Sequence, residues 1–465
     1  MLFNTAQFAF FFFAVLFLYR ALPRRGRNSL LLAASAVFYT LWHPVYLLLL
    51  AAEIVVNFAL LQVIARRRAP RVALVGSIVF TLGLLAFFKY AALAVESVLP
   101  VLRLAGMNPP IPDILLPLGI SFYSFQIVSL AIDTYRGEIE APRRLSRYAL
   151  FISFFPQLIA GPILRGAEFL PQLERGGEMN ADRTRRGIWL IASGIAKKVI
   201  LADFLLAPFV DEVFLAPGVG GAPFHLLAMY SFAFQIYFDF SGYTDIARGL
   251  ACMLGFELPF NFMEPYLSRN PSEFWHRWHI TLSTWLRDYL YIPLGGNRVG
   301  NVRTYVNLLL TMLLGGLWHG AAWNFVVWGG LHGALLMLHR RFRRSRFPDR
   351  PLALRDAPKV LLLFHVVCLI WIFFRVPTFS AALDFLQALI KGDYLSGWPA
   401  VPVLIVLLCA GLQVLERLVR LHIVVIRQWL SAPWGTAIEA TALGALVGLA
   451  IAVSGAGGEF IYFQF

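Results

Sequence analysis

Charge is scarce in this sequence. Only 14% of its 465 residues are Asp, Glu, Lys or Arg, where soluble domains carry roughly 25%. Hydrophobic residues make up 59% of the chain and the mean hydropathy is +0.69. That much apolar surface exceeds what a water-facing chain can hide, so an ordinary soluble domain is excluded and an integral membrane protein is indicated. Acidic residues are the scarcer sign, 26 against 40 Lys and Arg, which leaves a formal charge of +14. The basic excess does not build an aromatic-studded binding face, which argues against a nucleic-acid partner. It gathers between apolar runs, at Arg24, Arg25 and Arg27, at Arg66 to Arg68 with Arg71, at Arg143, Arg144 and Arg147, at Arg183, Arg185 and Arg186, and at 340–346. Such clusters in short loops mark the cytoplasmic side. Cysteine is nearly absent. Cys252, Cys368 and Cys409 lie far apart in apolar surroundings, with no zinc or redox spacing and no disulfide framework, and are read as packing residues. The apolar run from Phe8 to Leu18 lacks a preceding basic region and a following small-residue cleavage site, so a retained first span is expected. No internal repeat is visible, which weighs against a transporter built from inverted repeats.

What is present is a succession of apolar runs. The first, Ala6 to Leu22, ends at Arg24-Arg25 and so should start outside. Residues 29–65 begin and end at basic clusters and are interrupted near Trp42-His43-Pro44, which predicts a hairpin rather than one long helix. Val72 to Val98 leaves the cytoplasm again, with Lys89 embedded and expected to snorkel. Residues 114–135 return. From 149 to 300 the alternation of span and loop fails. The segment 151–162 is apolar but short and broken by proline, and irregular backbone at membrane depth needs protein or a wet cavity around it. Spans resume near 187–215, 225–256, 304–338, 358–376, 400–420 and 436–456, and the longer runs can each hold a bent or split helix. The expectation is an all-α, polytopic membrane protein in one domain over 1–465, with roughly ten to twelve transmembrane or re-entrant helices around an intramembrane chamber.

Three segments carry chemistry. Leu313 to Asn324 places His319 in an apolar, glycine-rich run long enough to cross a bilayer. A titratable side chain at that depth is costly and is by default a functional candidate, and imidazole is suited to take and return a proton near neutral pH. A neutral histidine bonded between packed helices would account for the same residue without chemistry. Asn270 to Tyr289 reads as one amphipathic helix, with Pro271 in the first turn, Asn270 as cap, a tryptophan-rich face and a second face of His276, His279, Ser283 and Arg287. It suits an interface helix, a polar stripe toward a chamber, or both. Glu273, His276, His279 and His319 could together hold zinc or iron, but the second Glu-x-x-His of carboxylate-bridged centres is missing, and no metal is assigned. Tyr237 to Asp245 sets Asp239, Ser241, Tyr243 and Asp245 in apolar context. Both acids there need partners, and Arg248 is the natural one for Asp245.

Taken together and in order, these segments resemble the membrane-bound O-acyltransferase family, nearest its bacterial alginate O-acetyltransferase-like branch. The matching text is LPLGISFYSFQ at 116–126, IDTYRG at 132–137, FFPQLIAGPI at 154–163, FDFSGYTDIARG at 238–249, FWHRWHITLSTWLRDYLYIPLGGNR at 274–298 and GGLWHGAAWNFVVWGGLHG at 315–333. The resemblance runs from about Phe87 to Arg375, with 1–86 and 376–465 as flanking spans. It implies acyl transfer from a thioester to a hydroxyl in a chamber within the bilayer, with His319 and His279 as the family's two histidines. Relatives commonly read Phe-Trp-Arg-Arg-Trp-His, so His276 stands in an arginine's place and is taken as non-catalytic. Trp278, Trp318, Asp239, Ser241, Tyr243 and Asn324 are expected to line the substrate path.

The chemistry suits those residues. A hydroxyl is a poor nucleophile near neutral pH and needs a base within about 3 Å. A buried, neutral His319 would take its proton, while His279 would orient the acceptor, donate to the developing oxyanion or relay the proton. Thiolate leaves readily, so no bound cofactor or metal is called for. The resemblance further implies acetyl-CoA as donor from the cytoplasmic side, an acetyl-accepting polysaccharide or partner protein outside, and residence in the bacterial inner membrane among its lipids. Alternatives are D-alanyl or other acyl transfer to teichoic acid, lipid or peptide, and a polymer-precursor transporter.

Overall fold

The computed structural model describes residue 3 and residues 5–216, 220–342, 352–395, 397–430 and 432–453. Of the basic residues at 340–346, Arg343, Arg344 and Arg346 lie outside the described residues. Helix is the only regular structure among the described residues, and the chain divides into two compact units.

The first unit comprises Met1–Ile191 and Thr244–Pro259. It holds α1 (Ala6–Ala21), α2 (Arg24–Thr40), α3 (Pro44–Ala65), α4 (Pro70–Leu104), α5 (Ile120–Arg136), α6 (Leu145–Ser153), α7 (Phe155–Leu158), α8 (Gly166–Arg175) and most of α9 (Ala181–Ile195). Thr5 caps α1 by accepting from Phe8 N at 3.2 Å. Pro44 opens α3 after His43, so the break at 42–44 separates two helices as expected. Polar side chains in α3 and α4 satisfy one another: Asn57 donates to Thr81 Oγ1 at 3.0 Å and accepts from Ser77 Oγ at 2.6 Å. Lys89 departs from expectation. It is buried rather than snorkelled, because α4 runs on to Leu104 and leaves Lys89 roughly 28 Å and 22 Å from the two helix ends, beyond the reach of its stem. The proline-broken segment at 151–162 is irregular, as anticipated. Its freed Phe155 N–H donates to Ser35 Oγ at 3.1 Å, so a protein partner replaces water there. Asp245 meets Arg248 at 3.5 Å, the expected pair.

The second unit comprises Ala192–Tyr243 and Phe260–Phe465. After the end of α9 comes a π-helix (Ala196–Leu206), then α10 (Ala207–Leu215), α11 (Ala222–Met253, whose last turns belong to the first unit) and a 3₁₀ turn at Pro265–Leu267. Next are α12 (Pro271–Trp275), α13 (Ile280–Leu286), a π-turn at Arg287–Tyr291, α14 (Asn301–His319), α15 (Trp323–Phe342) and α16 (Ala357–Arg375). The unit ends with α17 (Phe379–Lys391), α18 (Ala400–Leu421), α19 (Ile423–Leu430) and α20 (Pro433–Val453). Its core is aromatic, with Trp278, Trp328 and Trp371 fully buried among Phe232, Phe274, Phe374 and Tyr266.

One expectation is corrected here. Residues 270–289 are not one helix: α12 stops at Trp275, the chain turns through 276–279, and α13 starts at Ile280. The physical cause is backbone pairing with the loop before it, where Met263 N donates to Arg277 O at 3.0 Å and Ile280 N to Asn261 O at 2.9 Å. The run 304–338 holds two helices, broken at 320–322, the split that a run of that length allowed. Among the described residues, five helices are long and apolar enough to cross a membrane, at Pro44–Ala65, Pro70–Leu104, Leu354–Arg375, Ala400–Leu421 and Trp434–Val453, and Ala6–Ala21 is a shorter apolar helix. The protein is an all-α, multi-pass membrane protein.

Candidate active site

His319 is placed by glycine. α14 and α15 form a tight hairpin in which Gly316 lies against Phe325 O and Gly329 Cα, and Gly329 against Met312 O; a Cβ at either position would overlap that backbone. Small residues at a helix crossing let the backbones meet. This sets His319, the last residue of α14, inside the unit at 4% exposure rather than at a surface. Its ring is walled by Trp318 and Trp328, each 5.0 Å away between ring centres, and by Phe374 of α16 at 5.4 Å.

His279 is placed by a turn. Its φ of +43° lies in the left-handed region, which L side chains enter at a cost and which clusters at functional sites. Asn261 holds it there. The Asn261 Oδ1 accepts from Thr281 N at 3.2 Å and Thr281 Oγ1 at 2.9 Å, and lies 3.2 Å from His279 Nδ1. The imidazole is fully buried, packed against Phe240 of α11 at 4.7 Å and Phe262 at 6.4 Å. Burial lowers its pKa to about 3, so the ring is neutral at physiological pH. The centres of the two imidazoles are 6.3 Å apart, with Trp318 6.0 Å from His279.

The aromatic wall gives the pair a dry setting. Trp278 touches Trp371 at 4.9 Å and Phe262 at 5.1 Å, and Trp328 touches Trp371 at 5.5 Å. A low local dielectric strengthens the hydrogen bonds made inside, and an aromatic wall keeps water from an activated acyl group.

The other expected site residues divide. Trp278 and Trp318 join the histidines. Asp239 is buried on α11 and pairs with Lys198 Nζ at 2.6 Å, and the same ammonium meets Asp203 at 2.8 Å. Lys198 and Asp203 lie on the π-helix, a distortion frequent at functional sites. Ser241 and Tyr243 are buried on the same stretch of α11, whose Phe240 is the element's contact with His279. Asn324 donates to Val376 O at 2.8 Å, which ties α15 to the end of α16. Glu273 is engaged by Arg269 at 3.0 Å and Arg277 at 2.7 Å, and His276 is exposed with its Nδ1 2.7 Å from Ser272 O. The four-residue metal set therefore does not converge.

Four contributors went unread in the sequence. Asn261 lies in an aperiodic loop and carries no motif signal. Lys198 is one cation among 40 Lys and Arg. Trp328 and His332 belong to a segment already singled out, one turn apart on α15, with ring centres 4.8 Å from each other. Their helical spacing from Asn324 could have drawn attention to that face.

Two buried imidazoles 6.3 Å apart in an aromatic enclosure, inside a multi-pass helical membrane protein, are the candidate site of this unit. The model of the membrane-bound O-acyltransferase family matches residues 114–376, and the chain belongs to that family. It is an acyltransferase. The chain is 42% identical to the probable alginate O-acetylase AlgI of Azotobacter vinelandii over 405 residues, covering 85% of this chain and 79% of that protein. It is 36% identical to the peptidoglycan O-acetyltransferase of Helicobacter pylori, over 84% of this chain and 80% of that protein. A more distant similarity, 31% over 54% of this chain and 66% of the other, is to the teichoic acid D-alanyltransferase of Bacillus subtilis.

Proposed function

We propose that this acyltransferase moves an acetyl group from cytoplasmic acetyl-CoA to a hydroxyl of a cell-surface polysaccharide, or to an extracytoplasmic partner protein that completes the transfer, while resident in a bacterial inner membrane. One observation carries the reading: two buried imidazoles 6.3 Å apart behind a wall of tryptophan and phenylalanine, in a chain alike along most of its length to O-acetylating enzymes. His319 takes the proton of the acceptor hydroxyl as its oxygen bonds to the thioester carbonyl carbon. The tetrahedral adduct collapses with cleavage of the carbon–sulfur bond, and the imidazolium returns its proton to the departing thiolate. No net proton is consumed, and neither a metal nor a redox partner enters the balance. The neutral state of His279 supports a role in hydrogen bonding to substrate rather than as a charged clamp.

The similarity to a D-alanyltransferase favours a second reading, transfer of an amino-acyl group from a carrier-protein thioester. Purified protein in liposomes, offered labelled acetyl-CoA or a D-alanyl carrier, separates the two by which label reaches the acceptor. In cells, His319→Ala at matched membrane levels should reduce surface O-acetyl content to that of a deletion strain. General-base loss is worth about 10²–10⁴ in rate. Unchanged O-acetyl content in both the variant and the deletion strain would overturn the assignment.

A further inference from the structure

Asn261 bonds to His279 in a way that fixes which ring nitrogen carries the hydrogen. A backbone N–H can only donate, and Thr281 N lies 3.2 Å from one terminal atom of the Asn261 amide. That atom is therefore the oxygen, an assignment that does not depend on how the amide was placed. The Thr281 hydroxyl, 2.9 Å away, donates to it as well. His279 Nδ1 approaches the same oxygen at 3.2 Å. Two acceptors cannot share a hydrogen bond, so Nδ1 must hold the hydrogen. A neutral imidazole has one N–H, which leaves the lone pair on Nε2.

We propose that Asn261 is a positioning residue that locks His279 as the Nδ1–H tautomer, so that His279 meets substrate through Nε2 as a hydrogen-bond acceptor. This rests on the acyl-transfer reading and narrows it. Of the roles open to a second histidine, donation to the oxyanion needs a hydrogen on Nε2 that the neutral ring lacks. Accepting from a second donor on the acceptor, such as the sugar hydroxyl adjacent to the reacting one, holds the acceptor in place while the reacting hydroxyl keeps its hydrogen for His319, and that is the role this tautomer performs.

The lock is built from more than one bond. Asn261 O accepts from Ile280 N at 2.9 Å, and Met263 N donates to Arg277 O at 3.0 Å, so the loop carrying Asn261 runs paired with the turn carrying His279. His279 takes its αL backbone within that pairing, and its Nδ1 lies 3.2 Å from Asn261 Oδ1. Asn261 is itself 1% exposed, so bulk water does not compete for its oxygen. Around the ring stand Phe240 from α11, Phe262 from the loop, and Trp318 and His319 from α14. His319 is the titratable group among those rings. The neighbouring carboxylate on α11, Asp239, is paired with Lys198. An amide acceptor leaves His279 neutral, whereas a carboxylate in its place would favour the imidazolium.

The test uses the full chain in detergent or liposomes, with native, Asn261→Ala and Asn261→Asp proteins and ¹⁵N-labelled histidine, the His279 signal being assigned by its loss in His279→Gln. Burial of Cys368 and Cys409 against a thiol reagent reports folding of each variant. The native His279 should titrate as an Nδ1–H tautomer, and Asn261→Ala should lose that preference and at least tenfold in turnover, with a smaller change in KM. Asn261→Asp keeps the acceptor but adds charge, so it raises the proton affinity of His279. The sign is then fixed: the neutral form of His279, followed by its ¹⁵N signal, disappears at a higher pH than in the native protein, by about one unit or more. A native Nε2–H tautomer, or Asn261→Asp with an unmoved His279 midpoint, overturns the proposal. If the native protein transfers no acetyl group from any thioester offered, the acyl-donor reading fails while the tautomer measurement still decides the role of Asn261.

Discussion

Replacing Lys198 with methionine tests whether the buried ion cluster on the π-helix holds the second unit together. Lys198 Nζ lies 2.8 Å from Asp203 Oδ1 and 2.6 Å from Asp239 Oδ1, and the three side chains are at most 6% exposed. Methionine fills nearly the same volume, so packing loss is small and the effect isolates charge. Removing the common ammonium leaves two carboxylates close together in a low-dielectric setting, where each repels the other and neither is hydrated. Breaking a buried pair from one side costs about 3–5 kcal/mol. In a unit of this size, at about 2 °C per kcal/mol, that is a fall of about 6–10 °C in melting temperature. The three cysteines are buried, so a thiol-reactive fluorophore reads the transition directly. Adding Asp203→Asn and Asp239→Asn to Lys198→Met removes the stranded charges and should recover more than half of the loss. A Lys198→Met protein melting within about 2 °C of the native one would refute the argument, because the cluster would then be hydrated or dispensable.

Gly316→Val should destabilise the α14–α15 hairpin by about 3 kcal/mol or more and abolish activity, since the added side chain meets Phe325 O and Gly329 with no room to shift. Gly83→Val, where nothing lies within 4 Å, should melt within about 1 °C of native and serves as its control. His276→Arg, which restores the residue common in relatives at an exposed position, should leave turnover within about twofold of native. A larger loss would move His276 into the site.

The glycines and the histidines illustrate two kinds of legibility. Composition and apolar runs determined that the chain is a polytopic helical membrane protein, because burial in lipid leaves helix as the economical way to satisfy backbone polar groups. The hairpin at Pro44, the Asp245–Arg248 pair and the irregular segment at 151–162 were all readable, since each depends on neighbours along the chain. His319 stood out because a titratable group in an apolar run has a cost that any fold must explain. The turn at 276–279 was not readable. Its tryptophans and polar residues keep helical spacing, and only pairing with residues 261–263 breaks the helix and forces His279 to φ +43°.

The sequence alone thus settled the solvent, the class of secondary structure, the candidate base and, through its motifs, the family. Tertiary structure decided the partnerships: Lys198 with Asp239 across some 40 residues, Asn261 with His279, and the 6.3 Å between the two imidazoles. The reason is the range of the forces involved. Hydrophobicity and backbone preference act on each residue or its near neighbours and leave a periodic trace. A hydrogen bond or ion pair between distant segments leaves none, and it exists only once packing has brought its two ends together.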